Sequence, residues 1–239
     1  MKALCVALIA LACSAKAVEF STAEIAGKHF TVCRVNVKKE KISLYLRDQS
    51  GQPFKRFSTL DTFVQTHSHK LVFAMNGGMY HGDFSPVGLF VSEGSQSTPL
   101  NTAEGQGNFF LKPNGVFAIT DAGARVVDTS QYSKLKEQVI LATQSGPMLV
   151  VGGKIHQAFN ATSTNRLRRN GVGIPSLDTA IFVISEEPVT FHELATLFRD
   201  TLHCANALFL DGTVSSLFAP KLDRSDFRMD LGPIIGVTE

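Results

Sequence analysis

The sequence lacks the features that identify a nucleic-acid binder or an integral membrane protein. Basic residues exceed acidic residues by only two in 239 residues, and Lys2 and Lys16 both lie in the first seventeen. Residues 18–239 therefore have a formal net charge of zero, which argues against a general nucleic-acid partner. They also contain no apolar run near the roughly 20 residues that span a bilayer, and no repeat or charged linker, which favours one domain over 18–239.

The first seventeen residues have the pattern of a targeting segment. A lysine follows Met1, residues 3–12 are apolar, and Ala15-Lys16-Ala17 has the small-x-small pattern of a signal-peptidase site. We therefore predict that residues 1–17 are a signal peptide and that the mature protein is periplasmic or secreted. A lipid anchor at Cys13 is the alternative, although Ala10 stands where a lipobox usually has a larger aliphatic residue.

Only two of the four cysteines, Cys33 and Cys204, lie outside the predicted signal peptide. In an oxidising compartment such an isolated pair often forms a disulfide, and we predict one here. The alternative is two separate buried thiols. Neither cysteine has the close spacing of a zinc site.

The hydrophobic pattern predicts an α+β fold: a single strand-rich domain with a mixed sheet core and two main helices. A capping-box-like segment at Ser58–Asp61 predicts the start of one helix, and Thr190 with Glu193 predicts the start of the other. Gly152-Gly153 predicts a hairpin turn. Strands are predicted over residues 41–46, 71–75, 87–91, 109–111, 116–120, 148–151, 179–185 and 207–210.

Two of the predicted apolar strands end in a polar residue followed by glycine. One ends at Asn76-Gly77 and the other at Asp211-Gly212. A rigid strand can aim such a side chain into a cleft, while glycine lets a ligand or another backbone approach closely. Each dipeptide alone is also a common hairpin turn.

A basic cluster, Arg166, Arg168 and Arg169, is the main local excess of charge. Arginine presents a planar fork of donors that suits phosphate. In a chain without net charge, this cluster favours a small anionic ligand over a polymer, although a solvated loop is the alternative.

Several common catalytic motifs are missing. His192-Glu193 lacks the second histidine of a zincin because position 196 is threonine, and we place His67 and His69 on the surface. No G-x-S-x-G or G-x-x-x-x-G-K-[ST] sequence occurs, which weakens the α/β-hydrolase and nucleotide-hydrolase interpretations.

Six short segments, taken together and in order, resemble the phosphodiester glycosidase family and cover roughly residues 70–220. Two positions differ from the family's usual pattern: Thr213-Val214 follow Gly212, and Asn170-Gly171 follow Arg169. The six segments are Phe73–Tyr80, Ser85–Leu89, Gly107–Leu111, Gln144–Met148, Arg169–Gly173 and Leu210–Ser216.

The resemblance implies hydrolysis of a sugar-phosphate-sugar diester, with release of an N-acetylglucosamine-like sugar. It implies catalytic roles for Asp211, Arg169 and Asn76. For such a reaction, Asp211 would be the nucleophile or the base that activates water, and Arg169 would stabilise charge on the phosphate. Substrate-binding roles are implied for Gly77, Gly212, Ser215, Ser216, Ser145 and Asn108.

Other functions stay open from the sequence. They are a metal-assisted phosphodiesterase that cuts the P–O bond, and a non-catalytic binder of anionic cell-surface glycans. Asp83 and Glu104 are candidates for a second carboxylate. We expect no cofactor and find no complete metal-ligand set, although a divalent cation stays open. The expected partner is a glycosyl phosphodiester or a cell-envelope glycan.

Overall fold

Three antiparallel sheets surround a shared apolar core. The structure, a computed structural model, describes residues 18–239, so the predicted signal peptide and Cys13 lie outside the described residues. The domain boundaries that we give, residues 18 and 239, also stay a prediction. No helix in the described part of the chain is long and apolar enough to cross a membrane.

The first sheet has seven strands and the other two have five each. In spatial order, sheet I contains β1 (Val18–Ile25), β2 (Lys28–Asn36), β13 (Thr179–Ser185), β12 (Asn170–Ser176), β14 (Asn206–Phe209), β10 (Met148–Val151) and β11 (Lys154–Ile155). Sheet II contains β16 (Arg224–Ser225), β15 (Leu217–Ala219), β4 (Leu71–Asn76), β17 (Ile234–Thr238) and β3 (Lys41–Tyr45). Sheet III contains β6 (Ser95–Thr98), β5 (Phe90–Ser92), β9 (Val139–Ser145), β7 (Gly115–Thr120) and β8 (Gly123–Asp128).

Helices are few, which confirms the α+β class. They are α1 (Phe57–Thr66), the short α2 (Thr129–Tyr132), and α3 (Phe191–Thr196), which continues as a π-helical turn over Leu197–Thr201. Two 3₁₀ turns cover Asn108–Phe110 and Pro220–Leu222.

The mixed sheet that we predicted is not found. Every pairing between named strands of residues 18–239 is antiparallel. Parallel neighbours need a long crossover, usually a helix. Here many neighbouring strands are joined by tight turns, as in β1–β2, β7–β8 and β12–β13.

Three phenylalanine rings join the three sheets. Phe182 of β13 in sheet I lies 5.1 Å, centroid to centroid, from Phe73 of β4 in sheet II. It also lies 5.7 Å from Phe117 of β7 in sheet III. All three rings are fully buried. Because aromatic side chains bury a large apolar area, this contact is a major source of attraction between the sheets.

Seven of the eight predicted strands overlap strands of the structure, and one of the two predicted helix starts is confirmed. The strand over 179–185 and the capping box of Thr190 and Glu193 are confirmed. The β10–β11 hairpin turns at Gly152 and Gly153, whose φ angles are 55° and 79°. Such positive angles suit glycine.

Two local predictions are wrong. Residues 109–111 are not a strand, because the segment forms the 3₁₀ turn Asn108–Phe110; periodicity is ambiguous over three residues. Helix α1 begins at Phe57 with Arg56 as its N-cap and no side-chain cap bond, so Ser58 already lies inside the first turn.

The predicted disulfide is also wrong, since Cys33 and Cys204 are both free and buried. Cys33 faces the core between the sheets, together with Val35 and Phe182. Cys204 lies on the opposite face of sheet I, in the apolar layer that contains Leu194 and Phe198. A disulfide cannot form through the sheet, because it needs Cα atoms within about 7 Å and converging Cβ vectors.

We expect Phe182→Ala to lower the free energy of unfolding by about 3–5 kcal/mol, because it leaves a cavity where three sheets meet. Denaturant unfolding monitored by circular dichroism measures this. Met229→Ala, at a side chain that is 50% exposed, is the control and should change stability by roughly 0.5 kcal/mol or less. Equal effects of the two variants would contradict this account of the core.

We expect Cys33 and Cys204 to be unmodified thiols that react with iodoacetamide only after unfolding. Burial raises the pKa of Cys33 well above its usual value and the pKa of Cys204 to about 12, which suppresses the reactive thiolate. Intact-protein mass spectrometry before and after denaturation measures the labelling. A mass that shows an internal disulfide would refute the opposite-face placement.

Candidate functional site

Asn76 ends the central strand of sheet II and is the first buried polar group of the site. The five residues before it in β4 are buried and apolar, and Asn76 itself is 1% exposed. The strand pairs with β15 on one side and β17 on the other. A buried amide in this position needs partners for both of its heteroatoms.

The Asn76 side chain has such partners in three residues of two other segments. Its Oδ1 accepts hydrogen bonds from Asn170 Nδ2 at 2.8 Å and from the Ser216 backbone N–H at 3.1 Å. Its Nδ2 donates to the Asp211 carbonyl at 3.1 Å. The amide therefore connects β4 of sheet II to β12 of sheet I and to the segment after β14.

The backbone of Asp211 is held from both sides. Asn170 Oδ1 accepts from the Asp211 N–H at 3.1 Å, and Ser215 Oγ donates to the Asp211 carbonyl at 2.9 Å. Ser216 Oγ donates to the Val214 carbonyl at 2.8 Å. We call Asn76, Asn170, Asp211, Ser215 and Ser216 the amide network.

Sheet III reaches the amide network through Ser145, the last residue of β9. Ser145 is fully buried, and its Oγ donates to the Leu210 carbonyl at 2.5 Å. Thr143 of the same strand donates to the Gly77 carbonyl at 2.8 Å. The strand ends of all three sheets therefore converge on the two peptide segments that begin at Asn76 and Leu210.

The Asp211 carboxylate is the chemically distinctive group of this region. Burial raises the pKa of Asp211 to about 6, and the hydrogen bond that Asp211 accepts from the Thr213 N–H, at 3.2 Å, opposes this shift. No cationic side chain of residues 18–239 forms an ion pair with it. A partly buried carboxylate without a counter-ion, at a fixed strand end, is suited to exchange protons near neutral pH.

Gly77 and Gly212 permit close contact with other parts of the protein. A Cβ on Gly77 would lie 3.0 Å from Ile235 Cγ1, and one on Gly212 would lie 3.1 Å from the Arg168 carbonyl oxygen. Both glycines therefore keep the strand ends tightly packed beside Asn76 and Asp211. The atoms nearest to a Cβ at these positions belong to Ile235 and Arg168 of the same chain.

Arg169 lies next to the amide network in sequence, but its side chain runs into the apolar layer beneath α3. Its guanidinium lies 3.7 Å from the ring centroid of Phe191, and Arg169 Nε donates to the Val189 carbonyl at 2.9 Å. Arg169 Nη2 contacts the Asn165 carbonyl and side-chain oxygens, each at 3.3 Å. No contact joins this guanidinium to the Asp211 carboxylate.

Arg169 is also a buried cation without an acidic partner. It is 1% exposed, burial lowers its pKa to about 10, and its Nη1 has no hydrogen-bond partner in the described chain. The other two arginines of the predicted cluster are neutralised: Arg166 pairs with Glu193, and Arg168 lies 4.0 Å from a carboxylate oxygen of Glu186.

Three other predicted residues do not join the amide network. Asn108 is exposed in its 3₁₀ turn. Asp83 is exposed and accepts hydrogen bonds from Ser85, and Glu104 is exposed and pairs with Lys112. The structure thus places neither candidate for a second carboxylate beside Asp211.

Sequence reasoning missed two residues of the region. Asn170 differs from the usual family pattern, yet its side-chain amide is fully buried and joins Asn76 to Asp211. Tyr80 lies within the first quoted motif, and the signal that it had a role was only its position four residues after Asn76. Burial, and then the nearby charges of Asp211 and Asp230, raise the pKa of Tyr80 to about 12.

A cavity of about 630 Å³ lies elsewhere, beside the edge strand β3, and its lining includes Tyr45, Phe54 and Phe63. None of its lining residues belongs to the amide network. Within residues 18–239, no three His, Cys, Asp or Glu side chains lie close enough together to hold a metal ion.

Comparison with known proteins identifies the family of this chain. The model of the phosphodiester glycosidase family matches residues 69–233, a range that contains the whole amide network. The protein YigE of Escherichia coli strain K12 is 32% identical over 184 residues, which are 77% of this chain and 72% of YigE.

Two solved structures share the fold at low sequence identity. One is the catalytic domain of zebrafish N-acetylglucosamine-1-phosphodiester α-N-acetylglucosaminidase, auto-inhibited by its pro-peptide. It has a TM-score of 0.66 and 13% identity over 95% of this chain and 85% of that one. The other is a protein from Synechocystis, with a TM-score of 0.53 and 15% identity over 92% of this chain and 61% of that one. The family model matches more than half of this chain, so this chain belongs to the phosphodiester glycosidase family.

Proposed function

We propose that this chain is an exported hydrolase that cleaves the glycosyl C–O bond of a sugar-1-phosphodiester. It would release a free N-acetylglucosamine-like sugar and a phosphomonoester. Family membership supports a hydrolase of sugar phosphodiesters, and one observation carries the assignment to a residue: Asp211 is an unpaired, partly buried carboxylate on a firmly held backbone. Export to the periplasm or medium rests on the predicted signal peptide, with the Cys13 anchor as the alternative.

Asp211 supplies the reacting carboxylate in this proposal. Its ionised form either attacks the anomeric carbon, giving a glycosyl ester that water then hydrolyses to free sugar, or removes a proton from the attacking water. In both routes the C–O bond to phosphate breaks and the phosphomonoester leaves with the bonding electron pair. The transition state has oxocarbenium character, which a nearby negative charge stabilises. A phosphomonoester is a good leaving group, so the reaction depends less on a general acid than ordinary glycoside hydrolysis does.

Arg169 contributes its uncompensated positive charge. In a low-dielectric interior a charge acts over a longer distance than in water, so a buried guanidinium favours an anion at the neighbouring site without touching it. The cost of burying an unpaired cation is consistent with a functional rather than a structural role for Arg169.

In this proposal Ser145 and three residues of the amide network, Asn76, Ser215 and Ser216, act on Asp211 rather than on the substrate. Asn76, Ser145, Ser215 and Ser216 each use their side-chain polar groups within the protein. We therefore assign these four residues, with Gly77 and Gly212, to positioning the catalytic carboxylate. Asn108, whose side chain is exposed, stays a candidate for direct substrate contact.

We expect Asp211→Asn to remain folded and to lose at least roughly a thousandfold in turnover of an α-N-acetylglucosaminyl phosphodiester. The substitution suits the question because Asn76, Asn170 and Ser215 bond to the backbone of Asp211, and asparagine keeps an oxygen for the Thr213 N–H. Phosphorus NMR measures the appearance of phosphomonoester.

The same assay separates the proposed glycosidase from the two alternative functions. Oxygen-18 from water should enter the sugar; label in the phosphate, with loss of activity on adding a chelator, would identify a metal-assisted phosphodiesterase. Binding of the diester without turnover would identify a glycan-binding protein. Normal turnover by Asp211→Asn would remove Asp211 from the mechanism.

We expect kcat/KM to rise with pH through a midpoint near 6, because the active form of Asp211 is ionised and burial raises its pKa to about 6. Steady-state rates between pH 4 and pH 8 measure this. An ascending limb near pH 4, the ordinary range of an aspartate, would show that a different carboxylate controls activity.

The same pKa predicts an effect on stability that is independent of turnover. The pKa of Asp211 is higher in the folded than in the unfolded state, so the stability it contributes is present below about pH 4 and is lost as pH rises through about 6. Relative to wild type, Asp211→Asn should therefore gain about 2–3 kcal/mol in unfolding free energy between pH 4 and pH 7. A constant difference across that range would contradict the raised pKa.

A further inference from the structure

A second group of residues lies beside the loop that follows Asn76. The Gly77 N–H donates to the Pro233 carbonyl at 2.7 Å, and the Tyr80 hydroxyl donates to the Asp230 carbonyl at 2.5 Å. Gly232 packs under the Tyr80 ring so closely that a Cβ there would lie 2.4 Å from Tyr80 Cγ. Residues 77–80 and 230–233 therefore form one unit, attached directly to the amide network. The charge of Asp211 contributes to the raised pKa of Tyr80, which agrees with their proximity.

Aromatic faces continue outward from Tyr80. Its ring stacks on Phe84 at 5.8 Å between centroids, with 14° between the planes. Phe227 lies on the segment that leads to Asp230, and 60% of it is exposed. The Phe227 ring is therefore accessible to a ligand.

Two cations flank these rings and share one carboxylate. Lys55 Nζ lies 4.6 Å from the Phe84 centroid and 3.8 Å from Asp230 Oδ2. Arg56 Nε lies closer to that carboxylate, at 3.2 Å from Oδ1, and its guanidinium lies 4.5 Å from the Phe227 centroid. Asp230 is therefore paired mainly with Arg56, and the cluster keeps a net positive charge on Lys55.

The backbone holds Lys55 in this place. Its carbonyl accepts a hydrogen bond from the Leu231 N–H at 2.7 Å. Lys55 and Phe84 both adopt left-handed backbone conformations, with φ angles of 62° and 68°, which are uncommon for bulky residues. The Lys55 side chain is 40% exposed, so its ammonium group is accessible to an anion.

We propose that Lys55, Phe84 and Phe227 form the subsite for the phosphate-bearing half of the diester, the half that leaves as a phosphomonoester. Lys55 donates to the phosphate oxygens from its position over Phe84, and the exposed face of Phe227 packs against the sugar that carries the phosphate. This assignment rests on the proposed function, since it takes the phosphate-bearing half of the diester as the leaving group. It adds a specificity determinant that discriminates by the phosphate and the second sugar.

Binding of two probes to the full chain tests the subsite without turnover. Inorganic phosphate carries only the charged group, whereas glucose 6-phosphate carries both the phosphate and a sugar ring. By isothermal titration calorimetry, Lys55→Met should weaken both probes roughly tenfold, since it removes a charge-assisted hydrogen bond. Phe227→Ala should weaken glucose 6-phosphate and leave inorganic phosphate unchanged.

Lys154→Met is the matched control, because Lys154 is an exposed lysine on the short strand β11, and it should bind both probes as wild type does. In turnover assays, Lys55→Met should raise KM for the diester with a smaller change in kcat.

Failure of the subsite and failure of the proposed function give different results. Three outcomes would overturn the subsite and leave the Asp211 assay unaffected. They are wild-type binding by Lys55→Met, equal losses in Lys55→Met and Lys154→Met, and no binding of either probe to the wild-type protein. Probe binding that depends on Lys55 and Phe227, in a protein that does not hydrolyse the diester, would retain a sugar-phosphate site and overturn the hydrolase.

Discussion

The buried side-chain amide of Asn76 is the constraint on which the geometry of the site depends. It bonds to Asn170, to the Ser216 N–H and to the Asp211 carbonyl, and so connects two sheets and the segment that carries the carboxylate. Leaving any of these groups unsatisfied in the interior costs about 1–3 kcal/mol. The strand ends cannot separate without breaking several of these bonds together, which fixes the Asp211 backbone more firmly than a surface loop would.

Asp211 of the amide network and Arg169, which precedes Asn170 in the chain, are both at least partly buried, and neither forms an ion pair within residues 18–239. Burial disfavours their charged forms, raising the pKa of Asp211 and lowering that of Arg169. A fold selected only for stability would pair such charges or replace them with apolar residues. Perturbed pKa values of this kind cluster at functional sites, which supports the role proposed for both charges.

The surrounding fold supports these two charges through its layers. The contact of Phe182 with Phe73 and Phe117 holds the three sheets together. The ends of strands from these same three sheets meet at Leu210 and Asn76. On the other face of sheet I, the layer beneath α3 encloses the Arg169 guanidinium between Phe191 and Phe209. The apolar core thus supplies the low dielectric that shifts both pKa values.

Local patterns in the amino-acid sequence were enough to predict the strands over residues 71–75 and 179–185, the Thr190 capping box, the Gly152-Gly153 turn and the residues of the family motifs, because each depends on neighbours within a few positions. Contacts between distant residues were needed to place Cys33 and Cys204 on opposite faces of sheet I, to turn the Arg169 side chain away from Asp211, and to bring Asn170 into the amide network. Side-chain direction in a sheet depends on register and on which layer covers each face, and these are set by contacts between residues far apart in the chain.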